Sequence, residues 1–251
     1  MPKAGTAIII MTTMMTTLTE DTLTEGGLYR LLAWLSPSFP VGAFSYSHGI
    51  EAAVEAGRVR DRGSLEAWVG AILCHGTGRI DADLLRDSWR AVAEGETALL
   101  MSVTARADAH RGTAETALES RAQGQAFLQT ARAAWPHPVL DAWALALAAE
   151  KRPPSYAVAI GVAAACVGVP LAAALTAYLH GAAANLVSAG LRLIPLGQTD
   201  GQRALRTLEP VVAAGVAAAL VRGQADFGGC ALAVELASID HETQYTRLFR
   251  S

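Results

Sequence analysis

PPSYAVAIGVAAACVGVPLAAALTAYLHGAAANLVSAGL, residues 153–191, contains no Asp, Glu, Lys or Arg. The stretch outlasts the roughly 20 apolar residues that span a bilayer, so its chemistry decides the fold class. Ala and Gly dominate it rather than Leu, Ile or Phe. Burial free energy follows apolar area, so Ala gains little on transfer to lipid. Gly168 and Pro170 break the middle, and Gly181 and Asn185 interrupt the second half. The pattern predicts two closely packed helices in a soluble core rather than a transmembrane pair.

The rest of the chain agrees with that reading. Of 251 residues, 52% are hydrophobic and 17% charged, against about 25% charged in an ordinary domain. Disorder needs the opposite balance. Net charge is −3 and no basic cluster occurs, which argues against nucleic acid as a partner. Cys74, Cys166 and Cys230 are far apart and odd in number. They suit neither a disulfide framework nor a Cys-based zinc site, and a reducing cytoplasm is the expected compartment. Lys3 precedes the apolar run Ala7–Ile10, which is too short for the core of a signal peptide. Residues 1–27 are predicted to be a disordered tail; Met11, Met14 and Met15 within it are candidate alternative starts.

Helical signals dominate and strand signals are scarce. An apolar run from Leu28 to Leu35 stops at Ser36-Pro37. A helix is expected from Ala43 to Ala56, and another capped by Ser64. The next is expected to begin at Asp81 or Asp83. Further windows are 97–109, 113–134, 138–150, 156–168, 171–193, 201–222 and 229–239. Thr199 with Gln202 fits a capping box. About ten helices in one compact all-α domain over residues 28–240 is the expected architecture.

The chemistry-bearing motifs are few. Gly76-Thr77-Gly78-Arg79 lacks the spacing and the Lys of a phosphate loop. No Gly-x-Ser-x-Gly elbow and no His-Glu-x-x-His zinc motif occurs. Within a helix, His48 and Glu51 would be i, i+3 neighbours able to share a metal ion. Carboxylate-bridged sites need more such elements from other helices, so a buried polar cluster is the preferred reading. Cys74-His75 point about 100° apart on a helix, which favours a core Cys beside a surface His. A helical metal-binding protein using His48, Glu51, Cys74 and His75 is the alternative function class.

Aromatic placement is more informative. Phe and Tyr total ten, and five lie in Phe39–Glu51 and His241–Ser251. The second segment mixes Tyr245, Leu248 and Phe249 with Arg247 and Arg250, residue types typical of interface hot spots. It is either a tail that orders against a partner or one folded back on its own domain.

Four ordered motifs carry a resemblance. Phe39-Pro-Val-Gly-Ala-Phe-Ser45-Tyr46-Ser-His48-Gly-Ile-Glu51 resembles the signature of the urease accessory protein UreF family. So do Gly181-Ala-Ala-Ala-Asn185-Leu-Val-Ser-Ala-Gly190, Pro195-Leu-Gly-Gln198-Thr-Asp200-Gly-Gln202 and His241-Glu242-Thr-Gln-Tyr245-Thr-Arg247-Leu248-Phe249-Arg250-Ser251. Between 84 and 150 the likeness is general, best at Glu119-Ser-Arg-Ala-Gln-Gly124. The resemblance implies an all-helical, cytoplasmic, dimeric protein that is not itself an enzyme. It implies an adaptor joining UreD (UreH in some organisms) and the GTPase UreG on urease apoprotein for nickel insertion. By the same likeness no cofactor is stably bound, nickel is handled transiently, and GTP belongs to UreG. Residues 241–251 are expected to engage UreD, and no membrane is expected.

Overall fold

Thr24 starts the first helix of the computed structural model, which describes residues 22–251. Its hydroxyl accepts the Gly27 N–H at 3.0 Å, and α1 runs Glu25–Trp34. The last part of the expected tail is therefore helical, while residues 1–21 lie outside the described residues. Eleven α-helices and no strands occur among the described residues. They are α1, α2 (Ile50–Glu55), α3 (Arg62–Cys74), α4 (Thr77–Ala93), α5 (Thr97–Ala109), α6 (Ala114–Ala134), α7 (Pro138–Ala149), α8 (Tyr156–Cys166), α9 (Leu171–Leu193), α10 (Gln198–Val221) and α11 (Leu232–Glu242). The all-α expectation holds.

Several boundaries differ from expectation for physical reasons. The helix expected over Ala43–Ala56 is a 3₁₀ turn at Ala43–Ser45, an extended Tyr46, and α2. His48 and Gly49 have φ of 57° and 77°, in the left-handed region that ends right-handed helix. A Cβ at Gly49 would lie 2.8 Å from the Ser238 backbone nitrogen, so α11 presses directly on this turn. Asp61, not Ser64, caps α3. It accepts the Ser64 N–H at 2.8 Å, and Ser64 Oγ accepts the Asp61 N–H at 3.1 Å.

Helix α4 begins a turn before Asp81, because both Asp81 and Asp83 are engaged inside the fold rather than at a cap. α10 begins at Gln198, so Thr199 and Gln202 form no box; the Asp200 carboxylate instead accepts the Gly197 N–H at 3.4 Å. α11 runs to Glu242, which places His241 and Glu242 on a helix rather than in a tail.

The uncharged stretch supplies α8 and most of α9. Every residue from Ala157 to Ala164 is buried, wedged between α4, α6 and α9. Small residues set these distances. A Cβ at Gly124 of α6 would sit 2.3 Å from Pro154 O, and one at Gly161 of α8 would sit 2.6 Å from Leu85 O. A Cβ at Gly190 of α9 would meet Leu65 at 2.5 Å. By length and composition α9 and α10 reach what a membrane span requires; here they pack against each other and against α3 and α4.

One buried charge network ties α4 to α10. Arg86 bonds Asp83 at 3.0 Å, Asp87 at 2.7 Å and the carbonyls of Ala219 and Arg222 at 2.5 and 3.0 Å. Arg222 adds a 2.7 Å bond to Asp83. Burial pushes the Asp83 carboxyl up, against the pull of Arg222 and Arg86.

Gly124→Ala is expected to lower stability by about 1–3 kcal/mol, since the atoms it meets are backbone and cannot rotate away. Urea unfolding followed by circular dichroism reads this directly. An unchanged midpoint would mean that the Pro154–Tyr156 backbone yields freely.

Candidate functional site

The two motif segments at opposite ends of the described chain meet. The Ser47 N–H donates to Ser251 O at 2.7 Å, and the Arg250 N–H donates to Ser45 O at 2.8 Å. The Ser47 hydroxyl also donates to Ser251 O. These bonds fasten residues 250–251 along the 3₁₀ turn that precedes α2.

Glu51, in the first turn of α2, closes the arrangement. Its carboxylate accepts the Leu248 and Phe249 N–H groups at 2.7 and 2.9 Å, and one of its oxygens lies 3.2 Å from His241 Nε2. His241 is fully buried at the end of α11. Its Nδ1 lies 2.7 Å from Glu115 of α6, and Arg247 donates to the other Glu115 oxygen at 2.9 Å. The Phe249 ring is only 3% exposed, under the Arg192 guanidinium of α9 at 4.3 Å. Arg250 lies 5.9 Å over the buried Tyr46 ring. Burial raises the Tyr46 hydroxyl pKa, with Arg250 pulling the other way.

Behind this strap lies a cavity of about 340 Å³. His48 stands on its wall, with Nε2 2.7 Å from Thr77 Oγ1 at the start of α4 and Nδ1 3.2 Å from Glu119 Oε2 of α6. Glu119 also accepts from Ser251 Oγ and Gln123 Nε2, both at 3.1 Å. Deeper in, Arg111 bonds Asp81 at 2.7 Å, and the Tyr178 hydroxyl donates to Asp81 at 2.8 Å. Burial, reinforced by Asp81, holds the Tyr178 hydroxyl well above its ordinary pKa. A neighbouring cavity of about 250 Å³ shares His48, Thr77, Arg111 and Thr116 with the first.

The predicted site residues divide accordingly. Ser45, Tyr46, His48 and Glu51 gather at the strap, while Phe39 enters the core, its ring 5.3 Å from Phe127 and 6.2 Å from Trp135. Asn185 donates to Ala43 O at 3.0 Å and holds the turn in place. Gln198, Asp200 and Gln202 are not part of the strap. They start α10, where Asp200 bonds Arg203 at 3.0 Å and lies 3.8 Å from Arg62.

In the C-terminal segment, Glu242 accepts the Ala114 N–H at 3.1 Å, Tyr245 is fully exposed and Leu248 is 64% exposed. Phe249 is buried, so for this ring the segment folds back on its own domain, the second of the two expected arrangements.

The metal alternative loses its geometry. The left-handed turn at His48 removes it from the helix of Glu51, and the two side chains enter separate networks. Cys74 is half-buried and His75 exposed; burial raises the Cys74 thiol pKa. Among the described residues no group of three or more His, Cys, Asp or Glu could hold a metal ion. Thr77, Glu115, Glu119 and Arg192 complete the site without having been expected as site residues. Thr77 stood in the Gly76–Arg79 run set aside as no phosphate loop, and Glu119 at the head of the local likeness over 119–124.

The chain is similar to proteins of one family. A family model described as UreF matches residues 59–209. A urease accessory protein UreF of Rhodopseudomonas palustris strain BisB18 is 52% identical over 224 residues, covering 89% of this chain and 92% of that protein. One of Bradyrhizobium diazoefficiens is 50% identical, covering 89% and 91%. One of Granulibacter bethesdensis is 48% identical, covering 90% and 95%.

Glu51→Ala strips two main-chain donors and His241 of their acceptor. Leaving such buried groups unpaired costs about 1–3 kcal/mol. Amide hydrogen exchange at 247–251 should accelerate by at least tenfold while α8 stays protected. Unchanged exchange at Leu248 and Phe249 would show that the strap is held without Glu51.

Proposed function

The chain belongs to the UreF family of urease accessory proteins, and from that membership we propose that it acts as an adaptor in nickel insertion. In this reading it joins UreD (UreH) to the GTPase UreG on urease apoprotein, in the cytoplasm and as a homodimer. In urease maturation it assembles rather than catalyses. Nickel passes through the complex, GTP is bound by UreG, and no cofactor resides in this chain.

The observation that carries the proposal is the strap. It brings the aromatic N-terminal motif and the Tyr- and Arg-bearing C-terminal segment into one pre-organised surface. The buried His241 and Phe249, with the exposed Arg247 bonded to Glu115, fix the outward Tyr245 and Leu248, which is the arrangement of an interface with low ordering cost on binding. The partner-facing residues are Glu242, Tyr245, Leu248 and Arg250, held in place by His241, Arg247 and Phe249.

Dimer formation draws support from α10. Ala213, Ala214, Ala217, Ala218 and Val221 face outward without a charge among them, a surface suited to a second copy. Unpaired Cys74, Cys166 and Cys230 suit a reducing compartment.

Co-purification with the cognate UreD tests the adaptor role. Tyr245→Ala with Leu248→Ala should weaken binding by about 1–2 kcal/mol per residue that is a hot spot, with the melting temperature unchanged. Retention of UreD by a chain lacking 241–251 would sink the assignment of that surface. Ala217→Glu should convert the dimer to monomer in sedimentation; a chain that stays with membranes through carbonate washing would refute the soluble reading altogether.

A further inference from the structure

We propose that Thr77, His48 and Glu119 form a nucleophilic acyl-transfer site, with Thr77 Oγ1 taking an acyl group from small, uncharged activated esters. The three side chains come from separate elements: the start of α4, the turn before α2, and the second turn of α6. They line up as hydroxyl, imidazole and carboxylate. Thr77 Oγ1 is 2.7 Å from His48 Nε2, and His48 Nδ1 is 3.2 Å from Glu119 Oε2. This is the order in which a base activates a hydroxyl and a third group orients the base. With the ring proton on Nδ1 donated to Glu119, Nε2 accepts the Thr77 hydroxyl proton. Glu119 is itself anchored by Gln123 and Ser251.

Three further features fit the chemistry. His48 holds φ at 57°, a conformation costly for a residue other than Gly and concentrated at functional sites. Thr77 is the first residue of a 17-residue helix, whose opening N–H groups have no intrahelical acceptor. Arg79 and Ile80 turn back to Gly76 O. Thr77 and Gly78 N–H have no hydrogen-bond partner among the described residues, as expected of the first turn of a helix, which leaves them available as donors to an oxyanion. Gly78 is required there: a Cβ would meet Leu73 Cα at 2.7 Å. Finally, Thr77 and His48 line the 340 Å³ cavity, whose wall at Leu35, Pro37, Phe39 and Phe44 is apolar. Short acyl groups match that wall better than charged ones.

The step balances. Thr77 Oγ attacks the ester carbonyl as its proton moves to His48 Nε2. The acyl carbon–oxygen bond to the alcohol breaks, and His48 returns the proton to that leaving oxygen. Water then attacks the Thr77 ester with His48 again as base, releasing the acid and regenerating the hydroxyl.

The test uses the full chain with p-nitrophenyl acetate. A burst of one p-nitrophenolate per chain followed by slower turnover is expected, with an acetyl group trapped by acid quench and mapped to Thr77 by peptide mass spectrometry. The competing nucleophiles are the two lysines Lys3 and Lys151, the histidines and the free thiols, of which Cys230 is exposed, so site mapping decides and acetyl confined to them counts against the proposal. Thr77→Val should abolish both signals. His48→Asn, a residue that tolerates the left-handed conformation, should slow acetylation about 100-fold. Acetyl confined to Lys3, Lys151 or other hydroxyls overturns the proposal, as does a rate at Thr77 that His48→Asn leaves unchanged. UreD co-purification is read separately, so failure here leaves the adaptor reading standing.

Discussion

Close approach of α8 and the segment before it to α4 and α6 constrains how the elements around the site are spaced. A helix rich in Ala, with Gly161 facing α4, leaves no room for a side chain between Gly161 and Leu85 O, and Gly124 of α6 likewise faces Pro154 O and Ser155 in the segment that leads into α8. Larger side chains there would force helices apart, since cores at crystal-like density have no room to give. That constraint fixes the start of α4 relative to the second turn of α6, and with it the separation of Thr77 from Glu119. His48 fits between them only because the chain before α2 leaves the helical region.

Three glutamates then join the ends of the described chain. Glu51, Glu115 and Glu119 are each largely buried, and each has partners on both oxygens. Burying a carboxylate is expensive unless its lone pairs are satisfied. Here the partners are backbone N–H groups, an arginine and two histidines contributed by distant segments. The desolvation cost therefore turns into specificity: the C-terminal residues satisfy these carboxylates in one register. The apolar Phe249, seated under Arg192, adds burial that a purely polar clip would lack.

Helix content was legible because its signal is local. The uncharged run 153–191 announced α8 and α9 through composition, and windows such as 97–109 and 171–193 match the observed elements closely. Errors clustered where tertiary contacts override local preference. Asp81 and Asp83 look like cap residues, yet Arg111 beyond α5 engages Asp81, and Arg86 with Arg222 just past α10 engages Asp83, inside the fold. His48 and Glu51 look like a helical pair, yet Ser238 of α11 presses on Gly49 and breaks the turn. The strap was half visible: the motifs named both of its ends, but nothing in either segment says that they touch. Glu115 lies in an Ala-rich region with no pattern to mark it, and its role appears only when α6 and α11 are packed together.

The strap and the cavity share one atom, Glu119 Oε2, which faces both His48 Nδ1 and Ser251 Oγ. A carboxylate oxygen that accepts two bonds divides its charge between them. When the strap is seated, part of that charge is spent on Ser251. A partner that lifted residues 247–251 would remove this competitor and also the Leu248 and Phe249 donors from Glu51. The first change strengthens the Glu119–His48 contact, and the second frees Glu51 to hold His241 alone. Both follow from counting donors on two carboxylates, and both run in the same direction: the surface that meets a partner and the wall of the cavity respond together because they are bonded through the same side chains.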